Sequence, residues 1–147
     1  MRITLKNIKY SAFASQETSC YEASLYFDGK KVGIVSNQGH GCDDVYYLDR
    51  RDEGAVEAYI KTLPTPSLET VCNESLNDWR VSKDLKTLLR KKVMALKDDG
   101  KIYTYKVIKP NKERVTRSAE RVAKFENTVK VLNLLPFDEA LKLYKEN

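Results

Sequence analysis

An α+β fold is predicted for this chain of 147 residues, and three observations predict it. Apolar and polar residues alternate around Asp28-Gly29 between Cys20 and Ser36. From Asp52 onward the apolar spacing changes to threes and fours, and after Gly100 short runs of both kinds take turns, with Gly and Pro at the switch points. The expected order is an N-terminal antiparallel meander, central helices and a C-terminal βαβα unit. A chain of this length with 41% hydrophobic residues supports one core, so a single domain is expected over 1–147: meander 1–36, helical middle 52–97, βαβα segment 101–147.

The first strand is read from Ile3 to Ala12. Ile3 and Leu5 point one way and Ile8 and Tyr10 the other, which requires a bulge or twist near Lys6-Asn7. In the hairpin that follows, Asp28-Gly29 forms a two-residue turn that pairs Phe27 with Lys30. An unbroken register then sets Leu25 opposite Val32 and Ala23 opposite Ile34, and three antiparallel strands result.

The middle is read as three helices. Val56, Tyr59, Ile60 and Leu63 line the first, with Asp52-Glu53 in its opening turn and Pro64 as its stop. Ser67 caps a second helix with Leu68, Val71, Cys72, Leu76 and Trp79 inward, and Ser82 caps a third with Leu85, Leu88, Leu89, Val93 and Leu96. The last part reads as a strand at Lys101–Ile108, a helix from Asn111 to about Glu126, a strand at Thr128–Leu135 and a helix after Pro136. A strand, helix and strand in that order imply parallel strands in one sheet.

Charge is segregated along the chain. Residues 1–82 hold 9 Lys+Arg against 12 Asp+Glu, and residues 83–147 hold 17 against 9, giving −3 and +8. Like charges repel within a compact state, so a basic half points to a partner of negative charge. Arg114, Arg117, Arg121 and Lys124 are spaced to stack along one helical stripe, with Val115, Ala119 and Val122 on another. Lys83, Lys86, Arg90 and Lys91 add a second set on the preceding helix, and Tyr103 and Tyr105 offer rings for stacking. A solvated helix face has the same look, and Glu113 and Glu120 can pair with it.

The loop Asn37-Gln38-Gly39-His40-Gly41-Cys42-Asp43-Asp44 is the other candidate, a ligand loop built on Asn37, Gly39, His40 and Gly41. His40, Cys42 and one carboxylate make an incomplete zinc shell, so no metal is expected there, and nothing nearby orients His40 against Cys42 for nucleophilic catalysis. Gly39-x-Gly41 lacks the further glycine and lysine of phosphate-binding loops. No catalytic residues and no cofactor are expected.

Cys20, Cys42 and Cys72 have no paired spacing, which fits free buried thiols in a reducing compartment. The mean hydropathy of −0.54 and the absence of an apolar run of about 20 residues predict no membrane span, and the polar N-terminus reads as a strand instead of a signal. The expected location is the cytoplasm.

Three segments carry a family resemblance. Leu5 to Thr18, Val35 to Cys42 and Val131 to Leu141 resemble segments of a family of small bacteriophage- and prophage-encoded proteins. The likeness covers the two ends of the chain and brings no catalytic residue or ligand with it. It implies a setting, the cytoplasm of an infected bacterium, in which small accessory proteins bind and block host defence machinery. The resulting expectation is a non-enzymatic accessory protein, an inhibitor of a host defence, CRISPR or nucleic-acid-handling system, acting through a basic surface on nucleic acid or on an acidic partner. Two alternatives stand beside it: a module that sequesters a nucleotide signal, and a metal-dependent hydrolase or nuclease. The hydrolase lacks clustered carboxylates or histidines near the basic face.

Overall fold

The computed structural model describes residues 2–147 and has the expected α+β class. Its internal contacts fall into two compact units, Met1–Asp78 and Trp79–Asn147.

In the N-terminal unit four strands, β1 (Ile3–Ser11), β2 (Cys20–Phe27), β3 (Lys30–Asn37) and β4 (Val45–Leu48), pair antiparallel in sequence order. Asp28 and Gly29 both have positive φ, 48° and 82°, as a tight hairpin turn with right-handed twist demands. Phe27 pairs with Lys30 as the sequence predicts. The predicted register then fails, because a shift at Leu25/Tyr26 sets Leu25 opposite Gly33 and Ala23 opposite Val35. The extra residue lets Val32 and Val35 both face the core, at 1% and 0% exposure, and turns Ile34 outward at 40%. Gly33 belongs to this arrangement, since a Cβ there would lie 2.3 Å from the Tyr47 carbonyl oxygen of β4. The bulge expected in β1 is present between Lys6 and Lys9, with Asn7 at φ 53°.

β4 is an addition to the predicted three strands. Its four residues follow the glycine loop directly, too short a run for alternation to register. α1 (Arg50–Ile60) carries Asp52 and Glu53 in its first turn and buries Val56. Ile3, Leu5, Ala23 and Leu25 from the sheet, with Val71, Cys72 and Leu76, complete this core. The Leu5 N–H donates to Ser75 Oγ at 3.2 Å.

α2 (Leu68–Lys91) is one helix of 24 residues where two are predicted. Ser67 caps it as expected, its Oγ accepting from the Thr70 N–H at 3.2 Å. Ser82 caps nothing, because neither Gly nor Pro interrupts residues 68–91 and an interior serine costs a helix only a few tenths of a kcal/mol, roughly. The boundary between the two units falls inside this helix.

The C-terminal unit corrects the end of the predicted helical middle. Residues 92–97 are β5 (Lys92–Lys97), which starts directly after α2 without a loop. The run Val93-Met94-Ala95-Leu96 is apolar on both faces, a pattern that fits a buried strand as well as a helix. β6 (Ile102–Lys106) and β7 (Thr128–Val131) flank β5 and both pair antiparallel with it. They therefore share a sheet and a direction across α3 (Lys112–Val122), as predicted, with β5 between them. A 3-10 turn at Leu132–Leu134 replaces the predicted end of the last strand, and α4 (Phe137–Glu146) closes the chain.

The faces of β5 bury different partners. Val93 and Ala95 pack with Val115, Ala119 and Val122 of α3, while Met94 packs with Leu85 of α2, Leu132 and Ala140 of α4. Asn133 braces the joint between α2 and β5: its Nδ2 donates to the carbonyls of Leu89 (3.0 Å) and Lys92 (2.9 Å), and its Oδ1 accepts from the Met94 N–H (2.9 Å).

Candidate functional site

The glycine loop is folded against its own chain. Asn37 is 6% exposed, and its amide is fully occupied: Oδ1 accepts from Thr18 Oγ1 and the Gly39 N–H, both at 2.8 Å, and Nδ2 donates to the Cys42 carbonyl (2.9 Å) and Asp44 Oδ1 (3.0 Å). The Gly39 carbonyl accepts from the N–H groups of Gln16 (3.1 Å) and Glu17 (3.0 Å). Gly39 has φ 84°, and a Cβ on it would lie 2.2 Å from the Ala14 carbonyl oxygen. Gly41, also at positive φ, donates its N–H to Thr18 Oγ1. The glycines thus allow two loops to pack closely. His40 alone of the four predicted loop residues has its side chain exposed.

Beneath the loop sits a buried carboxylate, and the sequence shows none of its partners. Asp44, 8% exposed, accepts at Oδ2 from Tyr21 OH (2.5 Å) and Tyr46 OH (3.2 Å). Burial, reinforced by Asp44, holds both tyrosines well above their usual range. Burial first and Asp44 second push the Cys72 thiol up to about 12. Glu69 is raised by burial and by the carboxylates of Asp44 and Asp43. Among the described residues no set of three His, Cys, Asp or Glu side chains can hold a metal. Of the cysteines expected to be buried, Cys72 is; Cys20 is half-buried and Cys42 exposed.

The cations behave differently. Lys83, Lys86, Arg90, Lys91, Arg114, Arg117, Arg121 and Lys124 are all exposed. Asn111 caps α3, its Oδ1 accepting from the Arg114 N–H at 2.9 Å, and α3 buries Val115, Ala119 and Val122, so the arginine stripe lies on its outer flank. Arg114 Nη1 donates to the carbonyls of Ile108 (3.3 Å) and Lys109 (3.4 Å). Arg117 pairs with Glu113 one turn back. Lys83 lies over the Trp79 ring and Lys86 over Phe137, at 4.7 and 4.8 Å. Among the described residues Arg90, Lys91, Arg121 and Lys124 form no ion pair. Tyr103 keeps 45% exposure and donates its OH to Asp99 (2.8 Å), whereas Tyr105 packs against the core.

The structure does not gather the eight cations into one site. It brings Arg90 to a cleft of about 630 Å³ lined by Leu89, Val115, Leu132, Leu135 and Phe137, with Lys112 also on its wall. The other seven line none of it. The sequence reading missed Lys112, and its signal was weak: a lysine at the first position of a helix is ordinary until the neighbouring elements make a wall.

No helix among the described residues is long and apolar enough to cross a membrane. No protein-family model matches the chain, and no solved structure matches it significantly. The chain is similar to the Tricorn protease of Thermoplasma acidophilum, with 35% identity over 115 residues, which make up 78% of this chain and 10% of that much longer protein.

Proposed function

We propose that this is a non-enzymatic binding protein that engages nucleic acid through the cationic faces of its C-terminal unit, and that in a cell it acts as a phage-type accessory inhibitor of a defence or nucleic-acid-handling system. One observation carries the reading: charge segregates by structural unit. Residues 1–78 hold 8 Lys+Arg against 12 Asp+Glu, and residues 79–147 hold 18 against 9, a balance of +9. Self-repulsion of that size is offset when phosphates supply the counter-charge. Glu113 does little to neutralise the stripe, because an exposed pair one helical turn apart contributes only about 0.3–0.5 kcal/mol.

A catalytic reading finds less support. The similar protein is named as a protease, yet His40 is exposed, and among the described residues no hydrogen bond ties it to Cys42 or to a serine that it would have to activate.

The test is a salt titration of binding to short duplex DNA and single-stranded RNA, read by fluorescence anisotropy. Affinity is expected to fall steeply between about 50 and 200 mM salt as condensed counterions are released. The double variant Arg117→Glu/Arg121→Glu is expected to abolish binding and to change stability by no more than about 0.5 kcal/mol. Binding that withstands both the salt and the charge reversal sinks this reading.

A further inference from the structure

We propose that the cleft of the C-terminal unit binds an organic anion with an apolar body, a medium-chain acyl or aryl carboxylate. This goes beyond the polyanion reading, because Arg114, Arg117, Arg121 and Lys124 contribute nothing to the cleft wall.

The cleft volume of about 630 Å³ lies within the roughly 300–1,000 Å³ of small-ligand pockets. Leu89, Val115, Leu132, Leu135 and Phe137 supply half of its ten lining residues. Leu89, Leu135 and Phe137 are only half-buried, so apolar area remains for a ligand to cover. Arg90 and Lys112 come from α2 and α3 respectively and are both exposed. Among the described residues neither forms an ion pair, and no carboxylate is among the lining residues. An anionic headgroup therefore meets two cations with no internal competitor.

The polar lining decides what the body of the ligand is. A nucleobase needs directional partners along its edge, and the cleft has few to offer. Asn133 uses both amide hydrogens and its oxygen on the backbone of Leu89, Lys92 and Met94. Asn111 uses its oxygen as the cap of α3, and Thr116 donates its hydroxyl to the Lys112 carbonyl at 2.9 Å. What remains is apolar surface ending in positive charge, and a hydrocarbon or aryl carboxylate complements that.

Calorimetric titration of the full chain with decanoate below its micelle concentration, beside decanol and adenosine monophosphate, tests the assignment. Saturable binding of one decanoate per chain is expected, with decanol weaker by about tenfold or more, as loss of a charged hydrogen bond implies. Lys112→Glu is expected to weaken decanoate by a similar factor. Thr116→Trp, which fills the cleft from an exposed position, is expected to eliminate binding, and Arg121→Glu to leave it unchanged. Circular dichroism confirms that each variant is folded. No saturable binding, equal affinity for decanoate and decanol, tighter binding of the nucleotide, or decanoate binding that survives Thr116→Trp would each overturn the proposal.

Discussion

In the N-terminal unit Asn37, Asp44 and Tyr21 are buried and bond to one another, with Thr18 joining them at the rim, whereas in the C-terminal unit Arg90, Lys112, Arg121 and Lys124 reach solvent and, among the described residues, form no ion pair. The same class of side chain has opposite consequences in the two places. A buried polar group must find a partner within the chain or cost about 1–3 kcal/mol, so Asn37, ligand-like in sequence, is already taken. An exposed cation carries no such obligation and stays available. On the proposed function, the partner meets residues where internal demand is lowest, in the C-terminal unit.

The largest way to break this contrast is at Gly39. Gly39→Ala forces a side chain into φ 84° and against the Ala14 carbonyl, so a loss of about 3 kcal/mol is expected in urea unfolding of the full chain. A near-neutral result would free the loop for ligand binding and reverse the assignment of roles. Asp44→Ala comes next, with a loss of about 2 kcal/mol as Tyr21, Tyr46 and Asn37 lose their common acceptor. The companion Asp44→Asn, which keeps an acceptor oxygen, should recover part of that loss in the same assay.

A smaller effect arises from pH. Cys72, Tyr21 and Tyr46 are all raised in the folded state, so the folded chain holds protons that the unfolded chain releases. Their stabilising contribution is complete below the unfolded values, near 9 for the thiol and 10 for the phenols, and is lost as pH rises. The thermal midpoint of the full chain should therefore fall from pH 9 toward 12, as stability drops by up to about 1.4 kcal/mol per pH unit through the thiol. Cys72→Ala should flatten the first part of that slope; an unchanged slope would mean that the thiol is not shielded as the packing indicates.

Sequence reading found what is local. The Asp28-Gly29 turn, the bulge beside Asn7 and the Ser67 cap are each decided by a few neighbouring residues, and each is found in the structure. What escaped depends on distant strands. The bulge at Val32 follows from Gly33 lying against β4, whose existence a four-residue run does not announce. β5 was hidden because an apolar run buried on both faces has no period to read. The candidate surfaces divide in the same way: the arginine stripe is a helical repeat within α3, while the cleft requires α2, α3 and the segment after β7 to converge.

Asn133 ties the end of a helix to the start of a strand with no residue between them. Two clocks of different period are thereby coupled at one joint: α2 advances about 100° per residue and β5 about 180°. The turn that carries Arg90 to the cleft and the alternation that sends Val93 into the core are set in a common phase. A single residue added between Lys91 and Lys92 would leave one of the two out of step, since a strand that slips by one residue exchanges its faces. Chain length at this joint is thus set by two periods at once, that of the helix and that of the strand.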